Sequence, residues 1–222
     1  MDSDWDIIGK EGFQFFGRMS ASISHEIKNI LAIINENAGL LEDLALIAEK
    51  RKQVDIERFK TVAGKIRSQV VRADDIVKNL NRFAHSTDNF KSEVDLNDAV
   101  RFVAALCRRL FEMQGVSLEL TLVDRSTVIT TVLFVLQNVI WLCMSFAMEA
   151  AGDEKRVCLI VEKLESGAKI RFSNLRGIEK IPEGRFPSPK EKALLNATGA
   201  RISFDASAGE FVLLLPDNIE LR

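Results

Sequence analysis

The chain has 222 residues, 47% of them apolar and 28% charged, enough to bury a real core in one large or two small domains and too apolar for a disordered polyelectrolyte. A formal net charge of −2 gives no electrostatic reason to invoke nucleic acid. The acidic start, Met1-Asp-Ser-Asp-Trp5, is unlike a signal peptide, and Cys107, Cys143 and Cys158 are too far apart for metal-ligand spacing, so a cytoplasmic protein with reduced, buried thiols is expected.

The first ~85 residues read as two long helices. In the first, apolar residues fall at Phe13, Phe16, Ile23, Ile27, Ile30, Ile34, Ala38, Leu41 and Ala45, mostly three or four apart. In the second they fall at Phe59, Val62, Ile66, Val70, Ala73, Ile76, Leu80 and Phe83. Glu49-Lys-Arg-Lys-Gln53 is a polar turn between them, and no proline precedes Pro182. Two such helices make an antiparallel hairpin, which on its own has too little partner surface to bury both stripes. Pairing two hairpins into a four-helix bundle solves this, so a homodimer through residues ~10–86 is expected.

The second half changes period. Asp88 to Glu93 reads as a linker, Leu96 to Met113 as a helix, and Gly115 to Val123 as a strand. Val128 to Met148 is strongly apolar, but Gln137, Asn138, Ser145, Thr130 and Thr131 interrupt it and it lacks a basic flank at its start. A buried core helix over Thr131 to Ala151 fits better than a membrane span. Arg156 to Leu164 and Ala168 to Phe172 are strands joined by the turn Glu165-Ser-Gly167. A short helix at Pro189 to Ala197 and strands at Arg201 to Phe204 and Glu210 to Leu215 complete an α+β sandwich.

The stretch richest in reactive groups is Ser22-Ile-Ser-His25-Glu26-Ile-Lys-Asn29. His25 is two residues from both Ile23 and Ile27, about 200° around a helix, so its imidazole points away from the core stripe. A free imidazole titrates near pH 6.5 and is nucleophilic when neutral, so attack on phosphorus gives a phosphoramidate. Glu26 is the adjacent candidate for acceptor and base, and Asn29, one turn on, is placed to orient a water. From spacing alone, an exposed histidine with no role is the more economical reading.

The motif argues otherwise. Ser24-His25-Glu26-Ile27-Lys28-Asn29-x-Leu31-x-x-Ile34 resembles the H-box of sensor histidine kinases, Ser-His-Glu-(Ile/Leu)-(Lys/Arg)-(Asn/Thr)-Pro-Leu, with Ile30 in place of the proline. Ile76-Val77-Lys-Asn-Leu80-Asn-Arg-Phe83-Ala84-His85 is similar to the segment that closes the family's hairpin; His85 there is read as a joint residue. The resemblance implies a phosphotransfer hairpin over 1–88 and a kinase-ATPase-like α/β sandwich over 89–222.

The sandwich departs from the family where ATP chemistry resides. The N-box becomes Leu136-Gln-Asn-Val139-Ile-Trp-Leu142-Cys-Met-Ser-Phe146-Ala147-Met-Glu149-Ala150, so Leu142 and Phe146 replace the asparagines that serve Mg²⁺ and phosphate. The Asp-x-Gly-x-Gly-Ile box becomes Ser173-Asn174-Leu175-Arg176-Gly177-Ile178, keeping Gly177 as a turn residue. Glu179 to Pro189 leaves no room for a lid, and Glu183-Gly-Arg-Phe-Pro-Ser188 is no phosphate cradle.

The resemblance therefore implies a histidine phosphotransferase of a two-component phosphorelay that binds no cofactor of its own. Response-regulator receiver domains are its partners and bring their own Mg²⁺. His25, Glu26 and Asn29 carry the chemistry, and Ser24, Ile27 and Lys28 form part of the docking face. The alternatives are a receiver phosphatase and a non-catalytic pseudokinase scaffold; an active ATP-dependent kinase is disfavoured.

Overall fold

The computed structural model describes residues 4–51, 55–122, 126–182 and 184–219. Long N-terminal helices precede an α/β sheet domain. The chain divides into two compact units, Ser20–Ala84 and a second comprising Met1–Met19 with His85–Arg222. The segment before Ser20, expected to belong to the hairpin, thus groups with the sheet domain.

Helix α1 (Asp4–Arg51) and helix α2 (Ile56–His85) supply the hairpin. Of the expected turn, Glu49 to Gln53, Lys52 and Gln53 lie outside the described residues, and the first three residues belong to α1, which continues to Arg51. In the Ser20–Ala84 unit, α1 buries Ile23, Ile30, Asn37 and Leu44, and α2 buries Val62, Ile76 and Phe83. These follow a seven-residue spacing, the period at which one edge of a helix stays against a neighbour. Asn37 is tolerated in this seam because its amide donates to the Ile33 carbonyl at 2.7 Å. The expected stripes merged this seam with a second one. Leu31 and Ala45 of α1 and Ile56, Val70 and Val77 of α2 are exposed, while Ile27, Ile34, Leu41, Phe59, Ile66 and Leu80 are half-buried.

In the other unit, the start of α1 lies on the sheet domain. Gly12 lets it approach Phe134, whose ring a β-carbon would meet at 3.2 Å, and Phe15 packs against the same ring with centroids 5.7 Å apart. Phe13, placed in the core stripe by its spacing, is 83% exposed, and Phe16 is also exposed; Phe15 and Met19 are buried instead.

Strand β1 (Ser92–Asp95) opens the sheet domain and pairs antiparallel with β3 (Val128–Thr131). Neither strand is evident in the sequence: β1 begins inside the expected linker, Asp88 to Glu93, and β3 lies at the start of the apolar run, running into the first residue of the helix expected over Thr131 to Ala151. Between them are α3 (Leu96–Gln114) and β2 (Ser117–Thr121), shorter than the expected strand. Asp95 caps α3, accepting from the Asn97 N–H at 2.9 Å, and Gly115 ends it in the left-handed conformation at φ 66°.

Helix α4 (Leu133–Ala150) follows, then β4 (Arg156–Lys163), β5 (Ala168–Ser173), α5 (Pro189–Ala197), β6 (Arg201–Asp205) and β7 (Glu210–Leu215). The five-stranded sheet has the order β2-β4-β5-β7-β6; β2 is parallel to β4 and the other pairs are antiparallel. Alternate residues Val157, Leu159 and Val161, Ile170 and Phe172, and Phe211, Leu213 and Leu215 are buried. Helix α4 packs against α3, α5 and β4. It is long and apolar enough to cross a bilayer by length and composition, and 72% of it is buried inside the protein. Gly167 turns β4 into β5 at φ +106°, where a β-carbon would come within 2.1 Å of the Leu215 carbonyl oxygen.

Candidate functional site

His25 is exposed on α1 in the hairpin unit, with Ser24, Lys28 and Asn29 also exposed and Glu26 and Ile27 half-buried. The helical pitch puts Asn29 one turn beyond His25 on the same side. Glu26 turns its carboxylate towards the second helix: its Oε1 accepts from Arg72 Nη2 at 2.7 Å, with the Glu26 side chain 16% exposed and that of Arg72 46%. The residue expected to serve the imidazole as acceptor therefore commits one oxygen to a guanidinium 46 positions away. On α2, Lys78 pairs with Asp74 at 2.5 Å and is 4.0 Å from Asp75; the Asp74 hydrogen bond and charge raise the Lys78 pKa above the usual lysine value. This stretch of α1 thus carries an exposed imidazole, an ion pair that joins it to α2, and an exposed amide.

His85 makes a separate pair, Nδ1 to Asp88 Oδ2 at 2.8 Å, with both side chains exposed.

On α4, Leu142 is half-buried and Phe146 is buried. The Phe146 ring stacks on Phe186 with centroids 4.5 Å apart and 12° between planes, and meets the rings of Phe211 and Phe204 edge-on at 5.5 and 5.9 Å. Phe211 stacks in turn on Phe172 at 4.5 Å. The crevice lined by Val139, Leu142, Cys143, Phe186, Glu191, Leu195 and Ile202 has no room for a water molecule.

Ser173 is half-buried at the end of β5, and Leu175 is wholly buried. Gly177 is kept by close backbone approach: its N–H donates to the Ala150 carbonyl at 2.8 Å, and a β-carbon there would lie 3.1 Å from that same oxygen. Of the glycine-poor stretch 183–188, Glu183 lies outside the described residues, while Ser188 and Glu191 form the capping box of α5. At the two positions where the family it resembles has asparagines, Leu142 and Phe146 offer only hydrocarbon, which does not fit Mg²⁺ and its need for oxygen ligands. Among the described residues, no group of three or more His, Cys, Asp or Glu side chains is placed to hold a metal ion.

Arg72, Phe186 and Phe204 were not singled out in the sequence. Each acts through a partner distant in the chain, which leaves no local signal.

No protein-family model and no curated protein sequence matches the chain. Solved structures do resemble it. The histidine kinase AdeS of Acinetobacter baumannii is 15% identical over 87% of this chain and 98% of its own, with a TM-score of 0.48. The histidine kinase ThkA, solved in complex with the response regulator protein TrrA, is 18% identical over 94% of this chain and 64% of its own, with a TM-score of 0.46. A bacterial phosphotransferase is 16% identical over 90% of this chain and 95% of its own, with a TM-score of 0.47. The structural likeness is thus to histidine kinases and to a phosphotransferase.

Proposed function

We propose that the chain is a histidine phosphotransferase of a cytoplasmic two-component phosphorelay, carrying on His25 a phosphoryl group that comes from a receiver aspartate rather than from ATP. The observation that carries this reading is an exposed H-box histidine in a chain whose N-box position Phe146 is taken up by a ring stack, with Phe186 at 4.5 Å. A chain that keeps its acceptor without a donor site must take phosphate from another protein.

In the transfer step a lone pair of the neutral His25 imidazole attacks the phosphorus of a receiver's aspartyl phosphate. An N–P bond forms, the P–O bond breaks, and the aspartate leaves as its carboxylate. The receiver brings the Mg²⁺ that offsets charge on the phosphoryl oxygens. Ser24, Ile27 and Lys28, around the histidine, form part of the face on which it docks. A second receiver takes the phosphate by the reverse step.

The working unit in this proposal is a homodimer. Exposed Leu31 and Ala45 on α1, and Ile56, Val70 and Val77 on α2, with half-buried apolar residues three or four positions away, form a second seam on each helix. A four-helix bundle made with a second copy would cover both seams.

Asn29 supports a second reading. Its exposed amide one turn from His25 is placed to orient a water against a receiver's acyl phosphate, which would make the protein a phosphatase. A phosphotransfer assay separates the readings. Wild-type protein is expected to take label from a phosphorylated receiver and His25→Ala to take none. Label taken from ATP alone would sink the proposal. Loss of receiver label with none on His25, removed by Asn29→Ala, would favour the phosphatase. Binding to receivers without chemistry would favour a pseudokinase scaffold.

A further inference from the structure

We propose that the sheet unit has a binding site for a small zwitterion bearing an aromatic ring, the chemical class of a free aromatic amino acid, in a cavity between the start of α1, Phe90 and α5. The cavity has a volume of about 700 Å³, within the roughly 300–1,000 Å³ of small-molecule sites. All of its lining residues belong to the unit comprising Met1–Met19 and His85–Arg222, and none of them lines the crevice beside Phe186.

Three kinds of side chain line it. Ile8 of α1, Val132 and Val135 at the start of α4, and Ala193 and Ala197 of α5 make it apolar. Trp5 and Phe90 supply two aromatic rings, with centroids 6.3 Å apart and planes at 34°. They touch each other yet remain 60% and 58% exposed, so a ligand ring seated against them recovers apolar burial that the chain alone leaves unmade. The polar groups are few and of both signs: the Asp4 carboxylate, the Arg201 guanidinium and the amides of Asn196 and Asn218. Among the described residues no side-chain hydrogen bond or ion pair engages Asp4 or Arg201. The charges next to the site are taken up elsewhere: Lys91 Nζ donates to the Ile219 carbonyl at 2.9 Å, and Asp217 pairs with Lys163. One anion and one cation on an aromatic, apolar lining select a ligand with both charges and a ring. Its carboxylate meets the fork of Arg201, and its ammonium donates to Asp4.

Isothermal titration calorimetry of the full chain with L-phenylalanine tests this. One saturable site per chain is expected, with a Kd of about 1 mM or tighter. Arg201→Ala should weaken L-phenylalanine and 3-phenylpropionate about tenfold and leave phenethylamine unchanged, and Asp4→Ala should weaken L-phenylalanine and phenethylamine and leave 3-phenylpropionate unchanged. Trp5→Ala should weaken all three probes about fivefold. Ala197→Phe, which fills the cavity from α5, should abolish binding. Asp4, Trp5 and Arg201 are exposed, so their variants should keep the wild-type melting temperature and test the site even if Ala197→Phe unfolds. No saturable binding of L-phenylalanine up to about 10 mM overturns the proposal. Binding that survives Trp5→Ala and Arg201→Ala unchanged overturns this location, and equal affinity for all three probes overturns the zwitterion. The titration contains no receiver and no phosphate, so its outcome is separate from that of the phosphotransfer assay.

Discussion

Phe146 of α4 and Phe186 of the segment leading into α5 stack face to face, 4.5 Å between ring centroids and 12° from parallel. A side chain from the core helix and one from a surface segment are thereby packed together, and the crevice that Phe186 lines has no room for a water molecule. Truncating Phe146, which also touches Phe204 and Phe211, leaves a cavity that the surrounding strands cannot collapse to fill. Phe146→Ala is expected to cost about 3 kcal/mol or more in urea unfolding. Phe186 is half-buried, so Phe186→Ala should cost less and open the crevice to water. A fluorescent ATP analogue with Mg²⁺ should still fail to bind this variant, because Leu142 and Phe146 offer no oxygen ligand. Analogue binding on truncation of Phe186 alone would contradict this account of the crevice.

Asp95 makes stability depend on pH at the acid end. Partial burial pushes its carboxyl pKa up, but hydrogen bonds from the Ser126 hydroxyl and the backbone N–H groups of Asn97, Thr127 and Asp98 outweigh this and hold it below the usual value of 3.8. A group whose folded value lies below its unfolded one stabilises the fold above the unfolded value, and that stability is lost as pH falls through the folded one. Asp95→Asn keeps an acceptor for the α3 cap and removes the charge, so its melting temperature should fall less steeply than wild type's below pH 4. Asp95→Ala, which removes the cap outright, should cost about 1 kcal/mol near neutral pH.

The proposed dimer is tested at Val70, which is exposed in the protomer. Val70→Glu disturbs no buried contact within the chain but would place a carboxylate in the seam between copies. Sedimentation equilibrium should give the mass of two chains for wild type and of one for the variant, with unchanged helical circular dichroism. A monomeric wild type would remove the four-helix bundle from the proposal.

The three thiols should differ in reactivity. Burial pushes the thiol pKa values of Cys107 and Cys143 well above the ordinary value of 9.0, with the Glu191 charge adding to the effect at Cys143. Neither thiol supplies thiolate at pH 8. Cys158 is half-buried. A native-state titration with a disulfide reagent is expected to release one equivalent, abolished by Cys158→Ser, and three after unfolding.

Much of the fold is legible along the chain because it is local. The alternation in β4, β5 and β7 and the helical spacing of α2 and α5 are read from residues two to four apart, and those elements lie close to where their patterns put them. The pair β1–β3 escapes this reading. Each strand has only four residues, too short for alternation to register, and β3 runs directly into an apolar helix. Helix–helix packing escapes it for another reason. Both seams of the hairpin are apolar, so spacing alone cannot distinguish the seam that packs within the protomer, with Ile23 and Ile30, from the one that stays open, with Ala45 and Val70.

The amino-acid sequence by itself determined which residues are candidates, His25 with Glu26 and Asn29 in one short motif, and Leu142 and Phe146 where the family it resembles has asparagines, since both readings depend only on which side chains occupy a few neighbouring positions. Only the tertiary structure decided what those side chains meet. It gave Glu26 to Arg72 and stacked Phe186 on Phe146, pairings across 46 and 40 positions of chain. Such pairings depend on the register of one element against another, and register is fixed by packing of the whole unit rather than by any stretch a few residues long.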